Sequence, residues 1–383
     1  MRPVRMLASV TAAAAGITAL LAAPADAATP HRPDRAPVFV QTDNPAGNTI
    51  VAYDRTASGG LVRAGSYPTG GRGGVLDGSV VDHVASQGSL TYDRGSGLLY
   101  AVNAGSDTVT TFAVHGDRLV RRQVLSSGGS FPVSITVHGN LVYVLNARAG
   151  GSIQGYLRIG GVLVRIPAWH RGLGLDPART PEFTSTPGQV VFTPDGSRLL
   201  VTTKGGTSSI DVFRVGPGGP SGPTVTSLPG AVPFSVAFDA AGHVAVAEAG
   251  PNAVATFRLD RDGTLTELDS APTGQAATCW IVSAGGTLYL SNAGSGSVSR
   301  FAVDRRGTLA ELGTTATDAG TVAVGHEGGG YTVAIYFTSE AEARAGERKE
   351  PPPELAAQME EMSTLMSGEP EFLDLENPWI YSR

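Results

Sequence analysis

Two ionisable residues break the pattern of a repeat. A recurring strand ends at Asn103 in "YAVNAG", Asn146 in "YVLNAR", Thr203 in "LVTTKG", Glu248 in "AVAEAG" and Asn292 in "YLSNAG". Glu248 is the only acid in that register, and Lys204 directly follows Thr203. A carboxylate can activate water as a base, and a cation can hold an anion or steady negative charge as it develops. His170, Arg171 and Arg179 are the other cations that the register brings near. Lys204 and Glu248 also suit a structural ion pair between adjacent units, and that plainer reading is the one we favour.

The elements that position them are short strands. The aligned strand ends are separated by 43, 57, 45 and 44 residues, and an earlier copy, "VFVQTDN", puts Thr42 in register. The long interval contains "HRGLGLDPARTPEFTSTP", which reads as a loop. Each unit carries four strand-like runs, as in "SLTYD", "LLYAVN", "TVTTFAV" and "LVRRQVL" between 89 and 125. Asp195-Gly196, Asp262-Gly263 and Arg306-Gly307 supply the turns, with Gly providing positive φ. Four strands every ~45 residues are the signature of a β-propeller blade, so the fold class is all-β. Asn tolerates left-handed backbone and bonds its own turn, which makes its recurrence turn chemistry.

Composition sets the outer limits. The 383 residues include 51 Gly and 25 Pro with 16% charged, as expected of many strands joined by tight turns. Residues 1–27 read as a secretory signal peptide: Arg2 and Arg5 precede an apolar run, and Ala25-Asp26-Ala27 offers a cleavage site. The expectation is a secreted, extracellular protein cut near Ala27, with a flexible stretch at 28–35 and no membrane span. Cys279 is the sole cysteine, so no internal disulfide forms, and a buried, inert thiol is the favoured reading. The chain carries −6 overall, yet residues 331–383 alone hold 11 acids and 4 bases. No basic patch points to nucleic acid or an anionic membrane.

Units two to six read as complete: 87–128, 131–170, 187–230, 233–274 and 278–318. The first shows only "PVFVQT", "TIVAYD" and "LVRAGSY", so its inner strand is expected from the C-terminal side of a propeller spanning 36–330. A further unit begins at "GTVAVG" and "YTVAIYF" and then stops. Residues 331–383 read instead as an acidic α+β tail of strand, helix, helix and short strand. That tail resembles half of a ferredoxin-like domain of the dimeric α/β-barrel type.

Taken together, "QGSL", "LLYAVNAGSDTVTTFAV", "FPVSITVHGNLVYVLNA", "TPGQVVFTPDGSRLLVTTKG" and "TGQAATCW" with "LYLSNAGSGSVS" resemble the secreted actinobacterial branch of the lactonase family. Its members are seven-bladed propellers related to 6-phosphogluconolactonase, and the likeness covers about residues 36–322. The resemblance implies a hydrolase acting on a small lactone or sugar-like ligand, with its site on the face where inter-blade loops emerge. On that face it implies Glu248 as base, with Lys204 or Arg171 as catalytic cation and His170, Arg179, Trp280 and Asn292 around the substrate. A non-catalytic propeller that binds a ligand or partner protein is the alternative. Trp280, at an inner-strand start, reads first as core. "DRDG" lacks the downstream Glu of a calcium loop, "GHEGGG" lacks the Lys-Ser/Thr of a phosphate loop, and neither a cofactor nor a metal motif appears.

Overall fold

The computed structural model describes residues 37–56, 60–79, 82–317, 321–325 and 331–335, the last two as backbone strands. The segments read from sequence as a signal peptide at 1–27, a flexible stretch at 28–35 and an α+β tail at 331–383 lie, apart from Tyr331–Ile335, outside the described residues.

Five antiparallel four-stranded sheets follow one another in sequence order, as the periodicity predicts. They are blade 2 (Leu90–Asp93, Leu98–Asn103, Thr108–His115, Arg118–Ser126) and blade 3 (Pro132–His138, Leu141–Asn146, Ser152–Ile159, Val162–Gly172). Blade 4 comprises Gln189–Phe192, Arg198–Thr202, Ser209–Gly216 and Gly219–Ser227. Blade 5 comprises Pro233–Phe238, Val244–Glu248, Ala253–Leu259 and Leu265–Pro272. Blade 6 comprises Thr278–Ala284, Thr287–Asn292, Ser297–Val303 and Leu309–Ala316. Blade 1 has three strands, Val38–Gln41, Thr49–Arg55 and Leu61–Pro68, without an inner one among the described residues. Thr321–Gly325 pairs with Tyr331–Ile335 as a separate two-stranded sheet.

Burial follows from sheets stacked face to face. Second strands are covered on both sides: every residue of Leu98–Asn103 and Val244–Glu248 is buried. Val244 and Val246 pack with Leu200 and Ile210 of blade 4, while Ala245 and Ala247 meet Ile281 and Leu288 of blade 6. Period-2 alternation thus feeds two inter-blade cores from one strand. Outer strands mostly alternate half-buried and exposed residues, since they form the rim of each sheet.

The recurring asparagines need one correction. Asn103 has φ of −125° and is not left-handed. The left-handed seat lies just before each third strand, at Asp107, Gly151, Ser208, Asn252 and Gly296. What the asparagines supply is hydrogen bonding. Asn103 Nδ2 donates to Thr108 and Thr110 hydroxyls, and Asn292 Nδ2 to Ser297 and Ser299.

A strap runs across the inner strands. Ser86 Oγ donates to Val133 O of blade 3. Gln87 Nε2 donates to Ile281 O at 2.9 Å, while its Oε1 accepts from Ile281 N at 3.1 Å. Ser134 Oγ donates to Gln87 O, and Trp280 Nε1 to Ser86 O. One stretch of main chain between blades 1 and 2 is therefore bonded to blades 3 and 6, each bond contributing about 1 kcal/mol.

Candidate functional site

A cavity of about 450 Å³ opens where blades 4, 5 and 6 meet the insert between blades 3 and 4. The insert that reads as a loop forms one wall, with Arg179 and Pro181 leading into a four-residue helix, Glu182–Ser185, that carries Phe183. Phe234, Cys279 and Lys204 line it from the blades.

Local backbone explains how the blades supply their part of the lining. The inner strands of blades 5 and 6 shift register between Pro233 and Ser235 and between Thr278 and Trp280. Such a bulge re-aims a side chain. Phe234 and Cys279 are the extra residues, and both turn toward the cavity. The residues before these strands, Val232 and Ala277, have φ of 49° and 54°, and Lys204 has 48°. Left-handed backbone is costly for a β-branched residue such as Val232. Phe131 repeats that seat before the inner strand of blade 3, so the strain is partly architectural.

Lys204 is fully buried, and its Nζ donates to Ala85 O at 2.7 Å, to Phe183 O and to Thr186 Oγ1 at 3.2 Å. It joins the strap to the insert, with Phe234 beneath the ammonium at 5.3 Å. Burial pulls its pKa down to about 7, opposed by the charge of Asp82. The three acceptors match the three N–H groups of the protonated amine.

The sequence-derived site residues divide sharply. Lys204 and Arg179 share the cavity. Glu248 is 7% exposed and lines neither described cavity, although Ala249 next to it does. Burial, reinforced by Glu267, pushes the Glu248 carboxyl up to about 7. The Lys204–Glu248 ion pair favoured from sequence does not form: the acids acting on Lys204 are Asp82 and Glu182. The insert brings Lys204 its acceptors, while alternation along Val244–Glu248 places Glu248 on the side that packs against blade 4. His170 and Arg171 sit on the outer strand of blade 3, where the Arg171 guanidinium donates to Ala168 O and His170 O. Trp280 lies against Phe234 in the core, ring centroids 5.3 Å apart, rather than in the cavity lining. Asn292 is fully buried and accepts from Thr278 Oγ1 at 2.6 Å.

Sequence reasoning missed Phe183, Ser185, Phe234 and the cavity position of Cys279. The 57-residue interval was the available signal for the insert wall; nothing in the sequence announced the bulges. Burial pushes the Cys279 thiol up to about 12, so it is inert as a nucleophile at neutral pH, consistent with the sequence reading. Among the described residues no cluster of three or more His, Cys, Asp or Glu could hold a metal.

Successive antiparallel four-stranded sheets define an all-β propeller. The chain belongs to the family described as "Lactonase, 7-bladed beta-propeller", whose profile matches residues 48–321. Among solved structures it is similar to a Bacteroides fragilis protein proposed to be a 6-phosphogluconolactonase, at 21% identity and TM-score 0.61 over 80% of this chain and 92% of that one. A periplasmic gluconolactonase of Pseudomonas aeruginosa matches at 19% identity and TM-score 0.58, over 79% and 92% of the two chains. At these identities the structural likeness shows the fold. No curated protein matches this chain.

Proposed function

We propose that the protein hydrolyses a small lactone seated in the cavity walled by Arg179, Phe183, Phe234 and Lys204. The observation that carries the reading is the pairing of lactonase-family membership with a cavity of ligand size lined by two cations. Ring opening needs positive potential where the carbonyl oxygen gains charge, and a base for water. Lys204 supplies the first from the cavity floor. Glu248 remains the proposed base: a carboxyl pushed up to about 7 is well matched to taking a proton near neutrality, and its neighbour in sequence, Ala249, lines the cavity. In this reading the ring is seven-bladed, the pair Thr321–Gly325 and Tyr331–Ile335 opens its last blade, and the protein is exported with cleavage near Ala27.

Binding without turnover is favoured by one observation: all three N–H groups of Lys204 are already engaged, and Glu248 stands outside the cavity. A pH-stat assay of δ-valerolactone and glucono-δ-lactone, with Glu248→Gln alongside, separates the two. Acid release above background that Glu248→Gln lowers supports hydrolysis. Background rates with every lactone, together with retention of a lactone by the wild type, leave the binding reading standing alone.

A further inference from the structure

We infer that the outer rim of blades 1, 2 and 3 is a docking surface, and that its occupant is the chain's own acidic segment 351–376. The inference goes beyond the lactone reading and does not depend on it.

Charge on this rim has one sign. The outer strands Leu61–Pro68, Arg118–Ser126 and Val162–Gly172 hold Arg63, Arg118, Arg121, Arg122, Arg165 and Arg171 and no acid. The outer strand of blade 4 is uncharged, and those of blades 5 and 6 hold Glu267, Asp269 and Glu311 without a base. The six arginines are scattered along the sequence, and stacking of the sheets gathers them. Arg121 Nη1 donates to Pro68 O of blade 1, and the Gln123 side chain bonds both N and O of Leu163 in blade 3. The three strands therefore form one contiguous surface. Among the described residues the arginine ion pairs belong to Arg148, Arg158 and Arg258, so none of the six has a carboxylate partner. A guanidinium in that condition is a fork of donors suited to a carboxylate.

The apolar residues on the same strands select the occupant. Val62, Val124, Val162 and Val164 stand among the arginines at 39 to 51% exposure. A phosphate or sulfate polymer would leave those valines facing water, whereas a peptide of mixed character covers both kinds of surface. Residues 351–376 have that character: seven acids and no base, interspersed with Leu, Met and Phe. Residues 336–350 provide a tether of up to about 50 Å when extended, against about 10 Å between sheets packed face to face. A tethered segment meets its site at an effective concentration on the order of millimolar. Several exposed ion pairs, each weak alone, then hold it in place.

Cross-linking of the whole protein tests this. After Met6 the methionines are Met359, Met362 and Met366, so photo-methionine places its reactive group inside the segment. Mass spectrometry of the irradiated monomer should map links from these positions to 61–68, 118–126 and 162–172. The links should fall about fivefold or more in about 1 M NaCl, where the screening length is about 3 Å. Combining Arg118→Glu, Arg122→Glu and Arg165→Glu should abolish them, with a thermal melt confirming that the variant folds. In a second arm, changing the seven acids of 351–376 to Gln or Asn should tighten heparin binding about tenfold by uncovering the rim, a gain that the three arginine changes remove. Links confined to blades 4, 5 and 6, or to the segment itself, overturn the inference. So do links found only in covalent dimers, which assign the rim to a second copy. Heparin affinity equal in wild type and the neutralised variant overturns it as well, by leaving the rim open to an external polyanion.

Discussion

The ends of the second strands in blades 2, 3 and 6 differ from those in blades 4 and 5, and the difference separates upkeep of the repeat from departure from it. In the first group a neutral Asn closes its own hairpin. Room is made beneath a neighbouring loop: a Cβ at Gly71 would come within 2.4 Å of the Asn103 side chain. In the second group the same level of the fold carries buried ionisable groups, and they are treated oppositely. Lys204 reaches three acceptors on two other segments. Glu248 has no hydrogen bond among the described residues. The asparagines bond mainly within their own blade, with one longer reach where Asn48 donates to Asn103 Oδ1 across 55 residues; at the cavity the span grows to 119 residues, from Lys204 to Ala85.

The comparison is broken most forcefully at Lys204. Lys204→Met keeps the length of the side chain but leaves Ala85 O, Phe183 O and Thr186 Oγ1 without their donor, so stability should fall by about 3 kcal/mol or more. Urea unfolding measures this, and an unchanged midpoint would remove the staple role.

Glu248 should show its environment through pH. Its folded pKa of about 7 lies above its ordinary 4.5, so the folded state holds the extra proton between those values. Stability should therefore decline as pH rises from about 4.5 to about 7. Glu248→Gln should flatten that decline and exceed the wild type at pH 8 by on the order of 2 kcal/mol. Lys204 acts in a separate window: its pKa of about 7 lies below the ordinary 10.5, so the unfolded chain binds more protons and stability rises with pH between them. Melts of wild type, Glu248→Gln and Lys204→Met from pH 4 to 10 check both limbs; a Glu248→Gln profile parallel to wild type below pH 7 contradicts the burial argument.

Asn292→Ala should cost about 2 kcal/mol, since Thr278, Ser297 and Ser299 lose a partner inside one blade. No change in ligand binding is expected; a selective loss of binding with stability intact would return Asn292 to the substrate. Smallest of all, His170→Ala and Arg171→Ala on the outer strand of blade 3 should each shift stability by less than about 0.5 kcal/mol. Any loss of lactone turnover in these variants would move the site away from the cavity.

The repeat was legible because a propeller blade is local: four strands and three turns drawn from one continuous stretch, with Gly196, Gly263 and Gly307 in positive φ as the turn chemistry requires. The missing inner strand of the first unit was legible for the same reason. The candidate site was legible only in part. Lys204 and Arg179 drew notice as cations, but the register that linked Lys204 to Glu248 followed chain order, whereas the cavity gathers residues from 179 to 279. The asparagine backbone was misjudged because turn preference ranks residues without saying which seat of the turn each one takes.

By itself the sequence determined the blades: hydrophobic alternation, turn residues and a 43- to 57-residue spacing are short-range quantities that the chain carries wherever it goes. Only the tertiary structure decided that Lys204 would staple a strap to an insert, that Glu248 would face blade 4 without a partner, and that bulges would turn Phe234 and Cys279 toward a common space. Those outcomes depend on which segments meet when the sheets stack. Burial and hydrogen-bond partners belong to the assembled arrangement rather than to any residue's neighbours in the chain.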